Sequence, residues 1–198
     1  MANQIDASLQ QTLDQALQDK KLNKTAYDEI VKWLTEEEFE EFVPTLTQEI
    51  NEANWEKLMD KFYRVVIFGT GGIRGTMEIG TNRVNNYTIR WASQAYSQYL
   101  LKYKADLVQN GVALAYDSRN NSEELIKETA RVLAANGIPV HMFEYYRATP
   151  ELSFTVRYLK CAGGIVLTAS HNPPEFNGYK VYDENGIQVL PATGLQIE

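Results

Sequence analysis

Ser170 is the side chain in this sequence best placed for nucleophilic chemistry. It stands one residue, Ala169, past the apolar run Ile165-Val166-Leu167-Thr168 and is followed by His171, Asn172, Pro173 and Pro174. Such a run reads as a short buried strand, and open α/β sheets bind ligands beyond the carboxyl ends of their strands. A hydroxyl there, in a loop pinned by two prolines, is a site candidate on placement alone. Serine beside histidine first suggests a hydrolase. Neighbours on an extended loop point apart, however, and rarely form the nucleophile–base hydrogen bond, and the elbow Gly-x-Ser-x-Gly is absent. A second candidate is the glycine-rich stretch around Gly69, Gly71, Gly72 and Gly75, with Arg74 inside it. Its spacing fits neither the dinucleotide fingerprint nor the P-loop lysine pattern. On its own it reads equally well as a flexible surface turn.

These residues need elements to hold them. From about Tyr63 the sequence alternates short apolar runs with amphipathic stretches, the texture of an α/β domain. Tyr87 to Val108 carries Ile89, Ala92, Tyr96, Tyr99, Leu100 and Tyr103 on one helical face, and Asn110-Gly111 stops it. Val112 to Ala115 is then a buried strand, with Asp117-Ser118-Arg119 at its carboxyl end. Ser122 is expected to cap the next helix, which ends at Asn136-Gly137, and Ile138 to Phe143 is the following strand, carrying His141 as a core or edge residue. Thr149-Pro150 opens a helix through Leu159, which Gly163-Gly164 breaks before the strand that leads to Ser170. Gly178 to Tyr182 and Ile187 to Val189 flank Asp183-Glu184-Asn185-Gly186 as a hairpin with an Asn-Gly turn.

Residues 1–60 read as helices only. Thr35-Glu36-Glu37-Glu38 and Thr45-Leu46-Thr47-Gln48 both fit a capping box, and Ile30, Val31, Trp33, Leu34, Phe39 and Phe42 recur at helical spacing. The charges of this acidic extension are expected on a solvated outer face. The expected architecture is a three-layer α/β/α domain at 61–198 with a mixed, mostly parallel sheet, preceded by that helical extension.

Composition narrows the partners. Net charge is -7, from 19 Lys and Arg against 26 Asp and Glu, which lacks the basic footprint of a nucleic-acid binder. Cys161 is the lone cysteine, so an internal disulfide or thiolate metal site is excluded and a reducing, cytoplasmic setting is expected. Neither a signal peptide nor an apolar run long enough for a bilayer is present, so no membrane association is expected.

Thr168-Ala169-Ser170-His171-Asn172-Pro173 followed by Asn177-Gly178-Tyr179-Lys180 is similar to the active-serine signature of the α-D-phosphohexomutases. Phe68-Gly69-Thr70-Gly71-Gly72-Ile73-Arg74-Gly75 resembles that family's N-terminal substrate-entry loop, and Asp117-Ser118-Arg119 its Asp-x-Arg element. The helical prefix resembles the extension of the longer phosphoglucomutase branch. The resemblance implies that Ser170 carries a phosphoryl group, passes it to the free hydroxyl of a hexose monophosphate, and takes back the other phosphate from a bisphosphate intermediate. It implies that Arg74 and Lys180 neutralise the transferred charge, with Lys180 as general acid or base if its surroundings lower its pKa. It places Thr70, Gly71, Gly72, His171 and Asn172 at the substrate, with local turn bonding as the alternative for the last two. Asp117, Arg119 and Asn177 would support the loop.

The same resemblance implies magnesium bound through the phosphate of Ser170, with its other ligands outside this chain, and glucose 1,6-bisphosphate as activator. Hexose phosphates and the remaining domains of a four-domain parent are the expected partners. An aspartate-rich metal loop does not occur here, so the unit is expected to be a fragment unable to complete a mutase cycle. Phosphomannomutase, phosphopentomutase and a non-catalytic phosphosugar- or partner-binding domain are the alternatives.

Overall fold

Two side chains start the first helices of the computed structural model, which describes residues 4–69 and 71–197. Asp6 accepts from the amides of Ser8 and Leu9 to begin α1 (Ala7–Gln18), and Asn23 accepts from Ala26 to begin α2 (Lys24–Thr35). Neither expected capping box forms. Thr35 is the last residue of α2, its hydroxyl donating to the Val31 carbonyl, and Thr45 lies inside α3 (Val43–Asn51), whose start is set by Pro44. A threonine bonded back to its own preceding turn is unavailable as a cap. A 3₁₀ turn, Glu37–Phe42, separates α2 from α3, and α4 (Trp55–Phe62) closes the series. Trp33 is fully buried, stacked on Phe39 at 4.6 Å and edge-on to Phe62 at 5.4 Å.

These helices through Val66, together with Glu78–Arg83, make one compact unit. Its charges are not all solvated. Lys61 is 1% exposed, with its ammonium 2.7 Å from Glu49 Oε1 and 3.6 Å from Glu78 Oε1. Glu78 also meets Lys57 and Arg83, and Arg83 meets Asp60. A buried ammonium persists only when paired in this way. Burial pushes the Lys61 pKa down while Glu49 opposes it.

The second unit, Ile67–Met77 with the chain from Val84 onward, contains the sheet. Strands β1 (Gly72–Thr76), β2 (Val112–Tyr116), β3 (Val140–Met142), β4 (Gly163–Leu167) and β5 (Phe176–Tyr182) lie in the order β1-β5-β4-β2-β3. The β3–β2 and β2–β4 ladders are parallel and both ladders of β5 are antiparallel, so four of the five strands run one way. Helix α6 (Ser122–Ala135) packs on β2, β3 and β4 and against α5 (Asn86–Tyr103). Helix α7 (Thr149–Tyr158) covers the opposite face, where Leu152 and Val156 meet Ala113, Ala115 and Val166. This is the expected three-layer α/β/α arrangement with a mixed sheet.

Several boundaries differ from expectation. The glycine-rich stretch is in part an edge strand, because β5 supplies its hydrogen-bond partners. Gly163 and Gly164 open β4 instead of preceding it. Helix α5 ends at Tyr103, which is 47% exposed, and starts at Asn85 through a reciprocal bond with Thr88. Ser122 is the first residue of α6, following Asn121 at φ 59°, and its hydroxyl turns away from the helix to Asp117. The hairpin after β5 keeps its turn, but its second arm is a single bridge between Tyr182 and Gln188. A short helix, α8 (Pro191–Ile197), follows. His141 lies exposed on the edge strand β3. Among the described residues no helix is long and apolar enough to cross a membrane.

Candidate active site

Four backbone carbonyls of the serine loop and the start of β5 point toward one guanidinium. Arg119 donates through Nη1 to the carbonyls of Pro173 at 2.9 Å and Phe176 at 3.0 Å, and through Nη2 to those of Ser170 at 2.8 Å and Asn172 at 2.6 Å. A planar fork with fixed donors suits this work better than an ammonium. Asp117 orients the fork: its carboxylate accepts from the Arg119 amide at 3.0 Å and lies 3.7 Å from Arg119 Nε. Asn177, fully buried, donates to Ser122 Oγ at 2.9 Å and to the Asn120 carbonyl at 3.2 Å. It also accepts from the Gly178 amide at 2.8 Å. The three residues expected to support the loop therefore form one network. Sequence reading missed Ser122 and Thr168 in it: Thr168 Oγ1 accepts from the Ser170 amide at 2.9 Å, and Thr168 lies inside the very motif that marked the serine.

The result is an exposed Ser170 held at φ 56°, a left-handed conformation that serine rarely adopts without such restraint. This sharp turn also reverses one expectation. The loop is not extended, and Ser170 Oγ lies 3.3 Å from His171 Nδ1, so the adjacent residues do meet. Removing the fork should loosen all of this at once. Arg119→Ala is expected to cost about 3 kcal/mol, since charge-assisted hydrogen bonds contribute about 1.5–3 kcal/mol each and are not additive. Thermal unfolding should then fall by roughly 6–12 °C, and a shift below about 2 °C would contradict the clamp.

Register places the cations. In β5, Lys180 lies opposite Gly72 of β1 on one side and Val166 of β4 on the other, and Gly178 lies opposite Arg74. Side chains alternate along a strand, so Arg74 and Lys180 share one face, while Ile73 and Tyr179 are buried on the other. Arg74 Nη1 donates to Asn172 Oδ1 at 3.2 Å, tying the edge strand to the serine loop. Partial burial pushes the Lys180 pKa down, the Arg74 charge pushes it further, and Asp117 partly opposes them. Gly72 is required here: its φ is +142°, and a Cβ would stand 1.8 Å from the Tyr179 carbonyl oxygen. A cleft of about 270 Å³ opens between the Gly69–Gly72 loop, Arg74, Lys180 and Gln188. A shallower hollow, about 360 Å³, lies beside Ser170 and is lined by Asp117, Arg119, Asn172 and Pro174. Thr70 lies outside the described residues. No group of three or more His, Cys, Asp or Glu among the described residues could hold a metal ion.

A loop that exposes one hydroxyl, beside a cationic sheet face and a glycine-lined cleft, suits transfer of an anionic group. The comparisons with known proteins agree. A family model described as phosphoglucomutase/phosphomannomutase, alpha/beta/alpha domain I, matches residues 65–198. A phosphoglucomutase of Staphylococcus saprophyticus is 40% identical over 157 residues, 79% of this chain and 27% of that protein. A human phosphopentomutase is 36% identical over 168 residues, 82% of this chain and 28% of that protein. A crystal structure of a phosphomannomutase-family protein from Thermus thermophilus superposes with a TM-score of 0.60 at 32% identity, covering 68% of this chain and 29% of that one. The chain thus spans little more than a quarter of the length of these relatives. Match and fold together assign it: the chain belongs to the phosphoglucomutase/phosphomannomutase family, its residues 65–198 matching the family's α/β/α domain I.

Proposed function

We propose that this chain supplies the phosphoryl-carrying segment of a mutase that interconverts glucose 1-phosphate and glucose 6-phosphate through a hexose 1,6-bisphosphate. The observation that carries the reading is Ser170, exposed on a loop whose carbonyls are fixed by Arg119. In the first half-reaction the P–O bond to Ser170 breaks as a bond forms to the free sugar hydroxyl, whose proton passes through Lys180 to the departing Ser170 oxygen. In the second, the Ser170 hydroxyl attacks the other phosphate, and its proton passes through Lys180 to the departing sugar oxygen. Phosphoryl transfer asks a protein mainly for in-line positioning and charge neutralisation. Arg74 and Lys180 supply the charge, and the amide of Gly71 offers a further donor to a phosphate, the Gly72 amide being taken by the Gly69 carbonyl. His171 Nδ1 holds the Ser170 hydroxyl in the orientation for attack. Asn172, already bonded to Arg74, would relay the arrival of substrate to the serine loop.

Magnesium at the Ser170 phosphate would neutralise charge there, but the described residues do not make a metal site by themselves. Its other ligands would come from the remaining domains, and no step above is routed through it. Glucose 1,6-bisphosphate would act as activator by recharging Ser170. A cytoplasmic location suits the one buried free thiol, Cys161. The near-equal match to the human phosphopentomutase favours a pentose phosphate as the second reading of the substrate.

The test is intact mass and peptide mapping of the protein made from the complete coding sequence, before and after incubation with glucose 1,6-bisphosphate and magnesium. A phosphate adduct is expected on the peptide holding Ser170, removed by glucose 6-phosphate. Full mutase turnover with Ser170 never modified would overturn the reading.

A further inference from the structure

Gln188 has no part in the chemistry described so far, yet it lines the cleft that holds Arg74 and Lys180. It sits just past the turn after β5, half-buried, and its backbone bridges to Tyr182. One branch of its amide lies 3.4 Å from the Gly71 carbonyl oxygen, which also accepts from the Val181 amide at 2.9 Å. A carbonyl only accepts, so the branch facing Gly71 is the NH₂ group, and the orientation of the amide follows from its neighbour's chemistry. The bare Cα of Gly71 makes the approach possible: a Cβ there would lie 2.2 Å from Gln188 Nε2. The other branch, Oε1, has no hydrogen-bond partner among the described residues.

The cleft therefore offers two cations, the Gly71 amide and one neutral acceptor. A phosphate group satisfies the cations and the amide but repels a carbonyl oxygen. An acceptor beside an anion site calls for a donor carried on the same ligand, and in a phosphosugar that donor is a ring hydroxyl. Resting on the phosphosugar reading above, we infer that Gln188 binds substrate, accepting a sugar hydroxyl through Oε1 while Nε2 holds Gly71 in place. It confers a preference for hydroxylated phosphate esters over phosphate alone. Its two branches couple the conformation of the glycine loop to the presence of the sugar, so the loop is set by substrate as well as by the sheet.

The test compares Gln188→Ala and Gln188→Met, the second keeping the bulk against Gly71, with the unaltered 198-residue chain. Affinities are measured by NMR titration with inorganic phosphate, with glucose 1-phosphate, and with a panel of its monodeoxy analogues. One neutral hydrogen bond is worth a factor of about 2–13. Both variants should therefore bind glucose 1-phosphate roughly five- to tenfold more weakly, with phosphate affinity unchanged within about twofold. One deoxy analogue should bind the unaltered chain as weakly as the variants bind the parent sugar, and lose nothing further in them. Equal weakening toward phosphate and sugar phosphate in both variants would make Gln188 only a latch on the loop and overturn the inference. Unchanged sugar-phosphate affinity would overturn it too. Failure of the unaltered chain to bind either anion, with no response at Arg74 or Lys180, would instead sink the phosphosugar reading of the cleft.

Discussion

Ser170→Ala should abolish the phosphate adduct and lower mutase turnover of the full-length protein by ~10⁴-fold or more, the scale seen when a covalent nucleophile is removed. The fold should not follow. Ser170 is exposed, its hydroxyl meets only His171 among the described residues, and its amide bond to Thr168 does not depend on the side chain. Stability is therefore expected within about 0.5 kcal/mol of the parent. Ser170→Gly separates chemistry from conformation more sharply. Glycine adopts φ 56° freely, so this variant should be at least as stable as the alanine variant and equally inactive. Steady-state assay with mass mapping reads the first effect, and chemical denaturation the second. Retained turnover in either variant would remove Ser170 from the reaction.

Lys180→Met should reduce turnover by ~10²–10⁴-fold, the usual contribution of a positioned general acid–base. Methionine keeps most of the length of the side chain between Gly72 and Val166, so the β1–β5–β4 register should survive. The pH profile gives a more specific signature. Burial and the Arg74 charge both push the Lys180 pKa below its ordinary 10.5. Arg74→Ala removes one of these causes, so the limb of the profile governed by Lys180 should move to higher pH. In Lys180→Met that limb should vanish. Stability obeys the same linkage. Between the lowered folded pKa and 10.5 the unfolded chain binds more protons at Lys180 than the folded chain does, so folding gains as pH rises through that window. A limb that stays in place when Arg74 is replaced would show that the two cations do not sense each other.

The order of elements was legible because each carries its own punctuation. Thr149-Pro150 begins α7 as expected, and Gly137 follows the end of α6. The serine loop was legible because its motif is long. What stayed hidden depends on partners distant in sequence. Gly72-Ile73-Arg74-Gly75-Thr76 has its strand propensity diluted by two glycines, and becomes β1 because residues 176–180 supply the edge it pairs with. Arg119 was expected to tie the loop down through charge-assisted hydrogen bonds, and it does, but which atoms accept them was hidden, since its four carbonyl acceptors are backbone atoms and leave no trace in side-chain types. The Ser170–His171 contact was discounted on the premise of an extended loop, and the left-handed turn at Ser170 removes that premise. Lys61 gave no signal because its burial is set by Glu49, twelve residues earlier, and by Glu78 beyond β1. Local pattern read Thr35 as a helix start, where the competing bond to a preceding carbonyl decides otherwise.

The helical unit is discontinuous along the chain, and that has a consequence for how the sequence can be exchanged. Glu78 and Arg83 are encoded after β1, yet their ion-pair partners Lys57, Lys61 and Asp60 are encoded before it. A crossover between two homologous genes anywhere in the β1 coding region would separate these partners and leave Lys61 buried beside foreign residues. Residues 78–83 and the first four helices are therefore expected to be inherited together, and a chimera that respects only the apparent boundary near residue 60 would mix two incompatible halves of one charge network.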